Sequence, residues 1–251
     1  MRMDRLSTGM PAWVDGALRA VFPPACVLCH QPLAGAARER VCDGCARSVR
    51  VRPPHCCARC GRVLPRELAP GPCGRCLRHA PPQAATRALY VYDGPVREAI
   101  LAWKLGGDDA GVRWLLAAAA GRLRDWLAPG DLLLPVPMPL VRMRASGQHH
   151  AAGLCKILAA VADCHWDWRL LRRVGAQPRQ SALTGLARRQ NLRRAFAVDA
   201  AYAQSVTLPQ RLWLVDDILT TGTTAKYAAK ALGILDRPVH VLTLARAGRI
   251  E

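Results

Sequence analysis

Four Cys-x-x-Cys knuckles at regular intervals constrain this chain more than any other feature. Cys26-Val-Leu-Cys29 is followed by Cys42-Asp-Gly-Cys45, and Cys57-Ala-Arg-Cys60 by Cys73-Gly-Arg-Cys76, with the same gap in each set. Leu33 and Leu64 hold equivalent places after the second cysteine of each copy. A knuckle this short turns two sulfurs toward one ion, and two knuckles close a tetrahedral four-sulfur site. The repeat predicts a double zinc ribbon with two structural Zn²⁺. One ion pairs with Cys26, Cys29, Cys42 and Cys45, the other with Cys57, Cys60, Cys73 and Cys76. Cys56 adjoins Cys57 but breaks the spacing. Nine of the 11 cysteines lie in this stretch, whereas Cys155 and Cys164 read as small buried side chains. Cys26–His30 also fits the attachment pattern of a c-type haem, but the second copy has Gly61 where His30 stands.

The chain of 251 residues divides into a ribbon part at 26–80 and an α/β part at 86–251, after an N-terminal amphipathic segment at 1–25. Pro81-Pro82 marks the linker. No apolar run is long enough to span a bilayer. Arg2, Asp4 and Arg5 are not followed by the apolar core of a secretory signal, so a cytoplasmic protein is expected. The formal charge is +18, and an excess survives when eight thiolates and two zinc ions are counted. Such a surface favours polyanions, nucleic acid or phosphorylated metabolites. Generic solubility charge is the competing reading.

Beyond Thr86, short apolar runs alternate with helical stretches, the pattern of a mainly parallel sheet covered by helices on both faces. Strands are expected at 87–92, 132–135, 212–215 and 239–245. Helices are expected from Pro95 to Leu105, over 112–127, 149–162 and 224–232, with a short basic helix at 183–195. The most informative unit is Leu212–Thr224. Four apolar residues make a buried strand, and Asp216 and Asp217 fall at its carboxyl end, where open α/β sheets place their ligand crevice. Thr220, Thr221, Gly222, Thr223 and Thr224 then lead into a helix. Gly222 lets the backbone turn tightly, and the N–H groups, hydroxyls and helix dipole make an anion cradle. Adjacent carboxylates repel phosphate but accept hydrogen bonds from vicinal hydroxyls, so the unit suits a ribose 5-phosphate.

This unit resembles the signature of the type I phosphoribosyltransferases, and the whole chain resembles the ComF/GntX family of competence-associated phosphoribosyltransferase-like proteins. The family likeness rests on the double ribbon, Tyr92-x-Gly94 with Lys104, and Pro135-Val-Pro137. It continues through Arg172-Arg173, Gln180, Leu186, Arg188-Arg189, Asn191-Leu192 and Ala195-Phe196, and ends with the threonine loop and Leu244-Ala-Arg246. It implies a type I phosphoribosyltransferase-like fold that binds 5-phosphoribosyl diphosphate (PRPP), with Mg²⁺ bridging pyrophosphate and ribose hydroxyls. It further implies a pyrophosphate-side loop at Val136, Pro137 and Met138, and a link to uptake or use of external DNA. Lys104, Arg142, Arg144, Arg188 and Arg189 are candidate contacts to anions or DNA.

The family pattern after Arg142 and Arg144 reads Arg-Gly-Phe-Asn-Gln, whereas Ser146-Gly147-Gln148-His149-His150 stands here. An arginine is lost, which His149 or His150 would replace at low pH. No side chain stands out as a general base, and turnover as a phosphoribosyltransferase is an open expectation. The alternatives are an accessory protein binding single-stranded DNA and competence or DNA-processing proteins through Arg169–Arg194, and a regulator that senses the sugar phosphate.

Overall fold

The computed structural model describes residues 24–33, 40–174 and 194–248. Two short helices, α1 (Asp43–Ser48) and α2 (Gly74–Arg78), start directly after Cys42 and Cys73 and carry Cys45 and Cys76 on their buried sides. The α/β part runs β1 (Ala85–Val91), α3 (Gly94–Gly106), α4 (Ala110–Ala118), α5 (Ala120–Trp126), β2 (Leu132–Pro135), α6 (Leu140–Ser146) and α7 (His150–Ala162). It continues with β3 (His165–Trp166), β4 (Leu171–Arg173), β5 (Phe196–Val198), α8 (Ala200–Ser205), β6 (Leu212–Leu219), α9 (Thr223–Leu232) and β7 (Val239–Arg246).

Among the described residues the sheet is five-stranded and parallel throughout, in the order β1-β7-β6-β2-β3. β4 and β5 form a separate antiparallel pair. Apolar strands of this kind need cover on both faces, and the side chains of β6 and β7 sort accordingly. Trp213, Val215, Leu242 and Leu244 enter one core with Ile100, Leu115, Leu123 and Leu154 of α3, α4, α5 and α7. Leu212, Leu214, Val239 and Val241 enter the other with Phe196 of β5 and Ala228 and Leu232 of α9.

The first ribbon packs into the larger core through Cys26, Leu28, Val41 and Cys45. Gly111 of α4 permits this approach. A Cβ there would stand 2.6 Å from the Val27 carbonyl oxygen and 2.8 Å from Ala99 Cβ. The second ribbon has a small core of its own, Cys57, Leu64 and Cys76. Packing of the first ribbon thus crosses the boundary read along the chain.

Two expectations need correction. The helix expected over 112–127 is divided at Ala119, whose N–H is shared between the Leu115 and Leu116 carbonyls. β6 does not end at Val215: its ladder with β7 runs on through Asp216↔Thr243 to Leu219↔Arg246. Helix α6 lies where no element was expected, and β3 and the β4–β5 pair are too short to show a period. Residues 1–23, and Arg188 and Arg189 within the expected basic helix, lie outside the described residues; Arg194 and Ala195 lead into β5 as a turn. No helix among the described residues is long and apolar enough to cross a membrane.

Candidate functional site

β2 and β6 are neighbours, yet their connections leave in opposite directions, β2 toward β3 and β6 toward β7. Ligands of open α/β sheets bind at such a switch point, outside the carboxyl ends of the strands. The β2–β6 ladder ends at Pro135↔Val215, and the Val136 N–H donates to the Val215 carbonyl at 2.9 Å. Asp216 and Asp217 therefore extend past the end of β2 while still held on their other side by β7. That overhang, rather than an end of β6, opens the acids to a crevice.

Lys104 of α3 reaches into the crevice, its Nζ 2.7 Å from Asp217 Oδ2. Asp217 Oδ1 also accepts from the Ile218 N–H at 2.6 Å, and Asp216 Oδ1 from the Asp217 N–H at 3.0 Å. Burial, and next the Asp217 carboxylate, raise the Asp216 carboxyl to about 8, opposed by the Asp217 N–H and Lys104. Two adjacent carboxylates with one cation, on Asp217, favour a shared proton or a hydroxyl donor. Thr243, the register partner of Asp216, is fully buried with an unpartnered hydroxyl.

The threonine loop follows at Thr220. Gly222 takes φ 75°, in the left-handed region, and caps α9 without a side chain of its own, while the Thr223 N–H donates to the Thr221 hydroxyl at 3.4 Å. Thr221 and Thr223 hydroxyls lie 2.9 Å apart, and Thr220 and Thr221 are exposed. The arrangement is an open N-terminal turn lined by hydroxyls, suited to an anion.

Across the crevice, Val136 is buried in the core and offers only backbone, whereas Pro137 and Met138 are half-buried. Arg173 of β4 donates to the Pro137 carbonyl at 3.4 Å and stacks over Phe196, its guanidinium carbon 5.2 Å from the ring centre. Burial, and next the charge of Arg142, push the Arg173 guanidinium below its usual value. The structure thus brings Arg142 and Arg173 together at the Pro137 loop, while Arg144 is exposed near the end of α6. Arg173 belongs to the Arg172-Arg173 pair of the sequence. Strand alternation separates the two: Arg172 pairs with Asp199 and Arg173 turns to the loop.

His149 and His150 do not replace the missing arginine. The Nδ1 of His149 accepts from the Ala152 N–H at 3.2 Å and caps α7 as a neutral ring. His150 is buried against Trp103, ring centres 5.0 Å apart. Burial pushes both imidazoles below their ordinary value, with Asp217 opposing this at His150. A separate hollow lies at the opposite, amino ends of β2 and β6, lined by Leu132, Leu170, Leu208 and Pro209. Its buried carboxylate, Asp131, is fully engaged by Arg211, Trp213 and the Ala128 N–H.

In the ribbons, Cys26, Cys29, Cys42 and Cys45 form one cluster and Cys57, Cys60, Cys73 and Cys76 another, all sulfurs of each within 4.8 Å. Cys29 and Cys42 Sγ atoms lie 3.8 Å apart, as do those of Cys60 and Cys73. A tetrahedron with Zn–S of about 2.3 Å has edges of about 3.8 Å. N–H groups from the second knuckle donate to the first sulfur, Cys42 to Cys26 at 3.4 Å and Cys73 to Cys57 at 3.1 Å. Burial raises the Cys26 and Cys57 thiols, but backbone N–H donors, from Cys42, Cys29 and Leu28 at the first and from Cys60, Cys73 and Arg59 at the second, outweigh it and bring them to about 6 and about 7. Burial and then neighbouring sulfurs drive Cys45 and Cys76 upward. Four thiolates so close require a cation, and a closed sulfur tetrahedron is structural zinc. His30 and Gly61 occupy matching left-handed turn positions, φ 60° and 69°. Cys56 lies outside the second cluster, its thiol donating to the Pro53 carbonyl at 3.2 Å. Cys155 and Cys164 are buried.

The molecule is thus an α/β protein with a helix-flanked parallel sheet, preceded by a double zinc ribbon. The double zinc ribbon domain family matches residues 17–77. A DNA utilization protein YhgH of Salmonella typhimurium is 31% identical over 223 residues, covering 84% of this chain and 91% of that protein. Its counterpart in Escherichia coli K12 is 28% identical over 215 residues, with the same coverage. Competence protein F of Haemophilus influenzae is 28% identical over 229 residues, covering 88% of this chain and 96% of its own length. The chain belongs to the ComF/GntX family.

Proposed function

We propose that the crevice between β2 and β6 binds 5-phosphoribosyl diphosphate and that the protein serves the uptake or use of external DNA. The observation that carries the ligand is the overhanging pair Asp216–Asp217, with Lys104 ion-paired to Asp217 at 2.7 Å and followed at once by the open, hydroxyl-lined turn of α9. The acids accept from the ribose hydroxyls, and Thr220–Thr224 hold the 5-phosphate through N–H and hydroxyl groups. Pro137 and Met138 line the diphosphate side, where Arg142 and Arg173 supply positive charge. Mg²⁺ would enter with the donor and neutralise its diphosphate. Oxygen donors of this kind suit such a hard cation. The relatives' names, DNA utilization protein and competence protein, support the broader role. A phosphoribosyl transfer here would rest on positioning and electrostatic stabilisation.

Calorimetry with 5-phosphoribosyl diphosphate and Mg²⁺ tests the reading. Heat should appear for the wild type and vanish for Asp216→Asn/Asp217→Asn; no heat from the folded, zinc-loaded wild type refutes it. A second reading, an accessory protein for single-stranded DNA, draws on the charge of +18 and on exposed Arg142 and Arg144. It requires oligonucleotide affinity that falls steeply with salt.

A further inference from the structure

The two ribbons are fixed to the protein by different means. The first is buried in the main core, whereas the second is held at its knuckle by polar contacts from the sheet. Thr86 of β1 takes two of its carbonyls, with its N–H to Ala58 at 3.1 Å and its hydroxyl to Arg59 at 2.7 Å. Arg246, the last residue of β7, donates to the Cys60 carbonyl. Arg52 donates to the Gly61 carbonyl at 2.7 Å and to Cys56 Sγ at 3.6 Å. Arg52 lies beside β1, its N–H 3.0 Å from the Leu89 carbonyl, and is only 7% exposed.

Neither guanidinium has a carboxylate partner among the described residues. Arg246 lies against Cys60, a ligand of the second zinc site, and Arg52 against the next residue, Gly61. A buried cation without a counter-charge is strongly unfavourable. Zn²⁺ held by four thiolates carries a net double negative charge, which two guanidinia balance.

We infer that Arg52 and Arg246 complete the second zinc site as its counter-cations, so that metal loading there fixes the end of β7. The consequence reaches the crevice. Arg246 is the register partner of Leu219, and the Ala247 N–H donates to the Leu219 carbonyl at 2.9 Å, one residue before the threonine loop. When zinc leaves, the charge these two arginines balance is lost, and the knuckle separates from β1 and β7. The inference does not depend on what the crevice binds.

The test uses the full, zinc-loaded chain. A chelator is added, and alkylation of each cysteine is followed by peptide mass mapping, with Cys26, Cys29, Cys42 and Cys45 as internal reference. Arg52→Gln and Arg246→Gln keep a hydrogen-bond donor but lose the charge, whereas the lysine variants keep the charge. The glutamine variants should release zinc from the second ribbon about ten- to a hundredfold faster, with the first ribbon unchanged and lysine restoring most of the difference. Amide exchange at Ala247 should accelerate only after the second ion has left. Wild-type release from the glutamine variants, equal behaviour of lysine and glutamine, or equal acceleration at both ribbons would each overturn the inference.

Discussion

Asp216 gives the crevice an energetic signature that needs no ligand. Its carboxyl is raised to about 8, by burial first and by Asp217 second, whereas an aspartate in the unfolded chain ionises near about 4. Between those values the native state binds one proton more than the unfolded state. Stability therefore falls as pH rises, by about 1.4 kcal/mol per pH unit, and stops falling above the folded value. Asp216→Asn removes both the titrating group and the repulsion on its neighbour. From about pH 6 to about pH 7.5 the wild type should lose about 2 kcal/mol relative to the variant. Urea unfolding of the zinc-loaded proteins at several pH values measures this directly, because every other titrating group is common to both. Parallel pH profiles would refute the reasoning, and a variant that loses stability faster than the wild type would reverse its sign. The expected sign marks residues kept at a cost to the fold, as binding sites often require.

Gly111→Ala should destabilise the protein by about 1–3 kcal/mol, since its Cβ would meet the Val27 carbonyl at 2.6 Å. Thermal unfolding reads the loss, and zinc should leave the first ribbon more readily than the second. Asp131→Ala strands the buried Trp213 indole N–H and half of a paired Arg211. About 3–5 kcal/mol in urea unfolding is expected, with Asp131→Asn closer to the wild type. Gly222→Ala has room, its nearest neighbour being Leu219 Cδ1 at 3.6 Å, but meets a φ of 75°. A penalty of about 1–2 kcal/mol, seen as faster amide exchange at the start of α9, is expected.

What could be read from the sequence is what depends on neighbours in the chain. The ribbons follow from knuckle spacing alone, because the sulfur tetrahedron is closed by four residues within each copy. The strand at 132–135 and the helix from Pro95 were legible because apolar run length, a proline at the helix start and Gly107 at its end are local signals. The end of β6 was not, because nothing in Asp216–Asp217 announces that β7 stays paired alongside while β2 stops. The candidate site divides the same way. Asp216, Asp217 and the threonine loop form one contiguous motif. Lys104 beside Asp217, Arg173 on the Pro137 carbonyl and Arg52 on the Gly61 carbonyl join segments that only sheet order brings together. The histidines show the opposite failure: His149 and His150 looked like titratable replacements for a lost arginine, and burial with capping of α7 keeps them neutral. Among the described residues the cations at the crevice are Lys104, which is tied to an acid, and the Arg142–Arg173 pair. Among the described residues, an anion seated there finds charge partners on α6 and β4, outside the motif that first suggested it.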